Sequence, residues 1–201
     1  MSLSAQLWSD NADVASEILA HPFVRGIADG TLPRVRFATY IAQDAFFLES
    51  FARAYALALA RSPDTATLLA LADLITGVRE ELALHASYAE SWGIDMAGVE
   101  PLDATSAYTE FLLATAGTQD VGVIYAAMTP CMRLYAWLGQ SIDADRAGPY
   151  AQWVQTYADP EFEKIARVLE GLLDDQAADS PAVRRAYRRA MRLELAFFDA
   201  A

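Results

Sequence analysis

The 201-residue chain has one cysteine and two histidines. A lone cysteine excludes an intramolecular disulfide and any zinc site built from several cysteines. A di-iron bundle needs two Glu-x-x-His pairs with two further glutamates, and here Glu81-Leu-Ala-Leu-His85 has the wrong spacing. There is no glycine-rich phosphate loop, and the histidines are too few for a credible Ser/His/Asp arrangement. No metal and no cofactor are therefore expected. Basic residues are scarce: 15 Lys and Arg face 27 Asp and Glu, a formal charge of −12. Such a charge repels nucleic acid and anionic membranes. One basic cluster, Arg184, Arg185, Arg188, Arg189 and Arg192, reads as a solvated helix face or a partner for acidic helices. No apolar run approaches the roughly 18 residues of a membrane span. The longest, Val121 to Met132, holds Thr129 and Pro130. The first eleven residues lack the basic stretch and apolar core of a signal peptide, so the expected location is the cytoplasm.

Alanine and leucine are abundant, β-branched residues are sparse, and apolar residues recur at helical spacing with no strand-like alternation. The length suits one domain, residues 1–201, able to bury about 70% of the surface its unfolded form exposes. Helix signals predict segments over Ser4–Ala20, then a short one from Pro22 to Asp29-Gly30. Pro33 opens a helix to Ala60, and Ser62-Pro63-Asp64 opens one to Trp92, closed by Gly93. Further helices are expected over Ala104–Ala116, ended by Gly117, and Val121–Ile142, where Pro130 must kink the helix or remove a hydrogen bond. Tyr150–Ala158, Asp159-Pro160 to Leu173 and Ser180-Pro181 to Phe198 complete the chain. The fold class is all-α, an irregular helical bundle.

Polar residues on apolar stripes carry the functional signal. Asp44 interrupts the face Phe37, Tyr40, Ile41, Phe47, Leu48, Phe51, Tyr55. Glu194 interrupts Tyr187, Met191, Phe198, and Cys131 lies on Ile124, Met128, Tyr135, Leu138. Burying an unpaired carboxylate costs several kcal/mol or raises its pKa, so Asp44 and Glu194 each need a partner. Tyr108 and Tyr157 add inward phenols. Each has a plainer reading: a structural carboxylate, an inert core thiol, a packed tyrosine. Together, on different helices, they suggest a polar pocket inside a bundle. Carboxylates match the amine and ring-nitrogen edge of a heteroaromatic base, aromatic rings stack on it, and a thiolate can add to an electron-poor ring carbon. His85, in line with Val78, Leu82 and Trp92, reads as a satisfied core histidine, and His21 before Pro22 as a helix-end residue.

These residues sit in segments that resemble the TenA / thiaminase II family. The similar stretches are HPFVRGIADGTLP (His21–Pro33), YIAQDAFFL (Tyr40–Leu48), LHASYAESWGI (Leu84–Ile94), AYTEFLL (Ala107–Leu113), MTPCMRLYAWLG (Met128–Gly139), WVQTYADPEF (Trp153–Phe162) and ELAFFDAA (Glu194–Ala201). They run in order over nearly the whole chain. The resemblance implies a haem-oxygenase-like helical fold without haem. It also implies a homotetramer that hydrolyses the aminomethyl group of 4-amino-5-aminomethyl-2-methylpyrimidine, in many members also thiamin, returning hydroxymethylpyrimidine to thiamin synthesis. Carried over, Cys131 is the nucleophile, Glu194 the general acid/base and Asp44 the grip on the pyrimidine edge, the last two being exchangeable. Tyr108, Tyr135 and Tyr157 would line and orient the site. The family often has tyrosine three residues after the aspartate, where this chain has Phe47.

The resemblance favours a hydrolase acting on a small pyrimidine, with no nucleic-acid or membrane partner. A binding or regulatory protein on the same fold, inactive through Phe47, is the alternative. An oxygenase with haem or iron is a third reading, and haem would betray itself by a Soret band. As a nucleophile, Cys131 is expected to react selectively with an alkylating agent and to be protected by ligand.

Overall fold

A computed structural model describes residues 1–94 and 98–201. Among the described residues there is no strand. Ten α-helices appear: α1 (Leu3–Asp10), α2 (Ala12–Leu19), α3 (Pro22–Ala28), α4 (Arg34–Leu59), α5 (Thr65–Trp92), α6 (Asp103–Thr118), α7 (Val121–Ser141), α8 (Ala151–Ala158), α9 (Pro160–Gln176) and α10 (Pro181–Ala200). Two short 3₁₀ turns, Ala144–Arg146 and Gly148–Tyr150, link α7 to α8. No described helix is long and apolar enough to cross a membrane.

Local chemistry sets most boundaries. Asp64, Asp159 and Ser180 accept hydrogen bonds from the first-turn amides of Thr67, Glu161 and Val183. Pro160 and Pro181 then occupy first-turn positions that need no amide donor. Gly93 ends α5 in the left-handed region, φ 64°. His21 caps α3 by accepting from the Phe23 amide, so it is a helix-end residue.

Two expectations change in detail, and a third, at Pro130, takes one of its two forms. The first predicted helix is two, because buried Asn11 turns the chain: its side-chain amide donates to the Leu7 carbonyl, 2.7 Å, and competes with the helical ladder. Gly117 does not end α6, which continues to Thr118. Pro130 lies inside a single α7, with the lost hydrogen bond that was expected. It withholds one amide hydrogen from the ladder, and the helix continues because α7 packs against α8, α9 and α10 on several sides.

α7 is the spine of the bundle, and α4 lies between α5 and α6. α7 and α8 approach closely at Gly139, where an added Cβ would sit 2.4 Å from the carbonyl carbon of Tyr157. Only a residue without Cβ lets the two backbones touch there. The arginine face on α10 meets acids of the N-terminal helices: Arg184 with Asp10, Arg188 with Asp13, Arg192 with Glu17. Arg189 instead stacks over Phe111 of α6.

Candidate active site

The inward carboxylates lie among helices α4, α5, α6, α7, α8 and α10. Asp44 and Glu194 retain only 5% and 2% of their exposure. Glu194 accepts from the Tyr108 hydroxyl at 2.6 Å, and the Cys131 thiol lies beside the same carboxylate. Burial pushes the Glu194 carboxyl up to about 7, although the bonds from Tyr108 and Cys131 act the other way. The thiol, half-buried, is driven well above its usual range by burial and then by Glu194, Glu81 and Asp44. At neutral pH the proton therefore sits on sulfur, and Glu194 is placed to receive it. The reactive species in alkylation is the thiolate, which this raised proton affinity makes scarce in the resting site.

A second group lies toward α5. Asp44 Oδ2 is 3.4 Å from His85 Nε2. Glu81 accepts from the Tyr157 hydroxyl at 2.7 Å. Burial, then Glu81 and Glu194, hold the Asp44 carboxyl well up, and burial raises Glu81 against the Tyr157 bond. His85 is 3% exposed, and burial depresses its pKa to about 4, so the ring is neutral. Its Nδ1 has no hydrogen-bond partner. The plain core histidine read from the sequence is thus half-satisfied and belongs to the site.

Ligand-type atoms of Asp44, Glu81 and His85 lie within 4.8 Å of one another, a spacing a metal ion could use. Asp44 and His85 already face each other, and Glu81 is held by Tyr157, so the geometry suits a proton-sharing cluster equally well. Glu81 was missed as a site residue, yet it falls in register on the buried stripe Leu71, Leu74, Val78, His85, Tyr88.

Aromatic rings enclose the rest. Phe47 packs on Tyr108 at 4.7 Å between ring centres and on Phe51 at 5.2 Å. Tyr135 meets Tyr157 at 4.8 Å and stacks with Phe198 at 5.9 Å. Its hydroxyl accepts from Tyr40 at 3.2 Å, and Trp153 donates to Tyr40 at 3.3 Å. Asp44, Phe47, Tyr108, Cys131, Tyr135, Tyr157 and Glu194 thus come from five helices into one region.

Residues 8–201 match the model of the TENA/THI-4/PQQC family. The chain belongs to this family. An aminopyrimidine aminohydrolase of Halalkalibacterium halodurans is 30% identical, the alignment covering 100% of this chain and 96% of that protein. One of Bacillus subtilis is 31% identical over 92% and 81% of the two chains. The bifunctional TH2 protein of Arabidopsis thaliana is 36% identical over 89% of this chain, which spans only 34% of that longer protein. A TenA family transcription regulator from Silicibacter sp. TM1040 superposes with a TM-score of 0.91 at 28% identity, covering 98% of this chain and 94% of that one.

Proposed function

We propose that this TenA family member is an aminopyrimidine aminohydrolase of the thiaminase II kind, acting in the salvage of thiamin-related pyrimidines. The observation that carries the reading is the contact of Cys131 with Glu194, a carboxylate whose proton affinity lies near neutrality, inside an aromatic chamber. Full-length relatives bearing the aminohydrolase name support it.

The chemistry follows from the pair. Glu194 takes the thiol proton as sulfur adds to an electron-poor carbon of the pyrimidine. The amine on the exocyclic methylene leaves with its bonding electrons and collects that proton as ammonia. Water then adds to the methylene and gives a proton to Glu194. Sulfur departs, recovers the proton, and the ring regains aromaticity, leaving a hydroxymethylpyrimidine. Asp44, whose proton is held more tightly than usual by burial and then by Glu81 and Glu194, grips the ring-nitrogen and amine edge. Tyr108 fixes Glu194, and Tyr135, Tyr157 and Phe47 bound the ring.

The test is ammonia release from 4-amino-5-aminomethyl-2-methylpyrimidine by the wild type and by Cys131→Ser. Turnover in the wild type and its near-complete loss in the variant are expected. Tight binding without turnover in the wild type would favour the regulatory alternative. The same reading includes a cytoplasmic homotetramer, checked by light scattering at four chain masses.

A further inference from the structure

Three carboxylates, Asp44, Glu81 and Glu194, share the candidate site, and no arginine or lysine is among the described groups that act on them. Glu194 is held by Tyr108 and Cys131, and Glu81 by Tyr157. Asp44, 5% exposed, has no hydrogen bond from a described residue to offset its burial. It faces His85 Nε2 at 3.4 Å, beyond the roughly 2.7–3.2 Å of a good N–H···O bond. In a tetrahedral zinc site with bonds of about 2.0–2.1 Å, neighbouring ligand atoms stand about 3.3–3.4 Å apart. The pair therefore has the spacing of two ligands on one ion. Ligand atoms of Asp44, Glu81 and His85 all lie within 4.8 Å of one another, so a small side-chain shift closes the three on one centre. The His85 ring is neutral and its Nδ1 has no partner, so nothing described fixes the proton at Nε2 and that nitrogen can offer its lone pair. Glu81 also lines a cavity of about 300 Å³, whose exposed acids Glu80, Asp159 and Glu161 form an entry route that favours cations.

We propose that Asp44, Glu81 and His85 form an inhibitory site for a divalent transition ion of the zinc type, which competes with the pyrimidine for Asp44. The competition rests on the hydrolase reading, which gives Asp44 the pyrimidine edge; the metal site itself does not. One imidazole and two carboxylates suit zinc or cobalt, whereas magnesium and calcium prefer oxygen ligands alone. The two carboxylates balance the charge of the ion, which a buried cation requires. On binding, the ion displaces the protons that the acids otherwise hold, and these leave to solvent. Three protein ligands leave a fourth position for water from the chamber. With Asp44 on the metal, its oxygens no longer meet the ring-nitrogen and amine edge, and the enzyme is switched off until the ion is removed.

The test titrates zinc chloride into chelator-treated protein by calorimetry, with magnesium chloride as the second probe. Wild type and Cys131→Ser should each take one zinc ion per chain with similar affinity, and magnesium should give no comparable binding. His85→Gln and Glu81→Gln should each weaken zinc at least about tenfold, since changes merely outside the ligand shell already cost that much. Glu81→Gln keeps the side-chain shape, so it carries the test if thermal melting shows that His85→Gln does not fold. In Cys131→Ser, saturating zinc should lower the affinity for the aminopyrimidine at least tenfold. Zinc binding lost in Cys131→Ser assigns the ion to the thiol and overturns the site. Binding untouched by both glutamine variants, or none up to millimolar zinc, overturns it as well. Unchanged pyrimidine affinity with zinc bound overturns the competition. Failure of the hydrolase reading shows separately, as absence of product from metal-free wild-type protein.

Discussion

In the proposed reaction two demands meet at Glu194, since one carboxylate takes a proton from sulfur and returns it to a leaving group. A group titrating near 7 does both with little loss at either step. Glu194→Gln should therefore cut kcat far more than it weakens pyrimidine binding. The wild-type rate should climb as pH rises through about 7, where the carboxylate loses its proton, and the variant should lack that limb. Asp44→Asn mispairs a buried polar contact and should weaken pyrimidine binding by about 1–3 kcal/mol, read by calorimetry. Reversal of the two effects would exchange the roles of the carboxylates. Phe47 keeps the ring but lacks a hydroxyl, and its neighbour Tyr108 already holds Glu194. The missing bond is worth roughly 0.5–1.5 kcal/mol, and tenfold in rate needs about 1.4 kcal/mol, so the wild type should be slowed rather than dead. Phe47→Tyr should raise turnover on the aminopyrimidine or on thiamin; a loss would show a pocket packed around phenylalanine. Asp44 and Glu194 were legible in the sequence because a carboxylate mid-stripe has few explanations. Glu81 carries the same signal, but beside His85 it resembles a failed metal-ligand pair more than a partner of the other carboxylates. The orphaned Nδ1 of His85 had no sequence signal, since hydrogen-bond partners depend on which helices meet.

Among the elements, the crossing of α7 and α8 positions three of the seven site residues, because α7 carries Cys131 and Tyr135 while α8 carries Tyr157. Gly139→Ala would place a methyl group inside the α8 backbone and push that helix away. Overpacking of this kind costs typically 1–3 kcal/mol. Thermal denaturation should show the loss. A lower kcat/KM in the surviving folded protein should accompany it, since the Tyr157–Glu81 bond moves with α8. Wild-type stability and activity in Gly139→Ala would remove the crossing from this account. Helix existence was readable throughout, because period and capping residues are local. Asn11 was not read as a break, since an asparagine that turns the chain and one that rides on a helix look alike without their neighbours. Pro130 sits inside an unbroken α7 because packing on three partner helices outweighs one missing hydrogen bond.

For the whole molecule, the site costs stability that other regions must supply. Glu194 ordinarily titrates at 4.5 and is raised to about 7, so the folded state holds its proton more tightly than the unfolded chain. Its favourable contribution is complete below about 4.5 and is lost as pH rises to 7, on the order of 3 kcal/mol in all. Asp44 and Glu81 act in the same direction. His85, depressed to about 4 from 6.5, opposes them by disfavouring the folded state as pH falls through that window. Urea denaturation of wild type and Glu194→Gln should therefore agree best at high acidity. The wild type should lose ground to the variant between pH 4.5 and 7, and a constant difference would mean Glu194 is not raised. The arginine ladder from α10 to the N-terminal helices is exposed and contributes little per pair.

The half-buried thiol among three carboxylates has a further consequence for how the protein ages. Oxidants attack the thiolate, and burial first, then the neighbouring carboxylates, keep that form rare. With one cysteine per chain, no resolving thiol lies within the same molecule. The purified protein should keep its full free-thiol titre through days in air without reductant. A cationic ligand, by stabilising the thiolate, should make the same sulfur vulnerable to peroxide, so that substrate both awakens the residue and shortens its life.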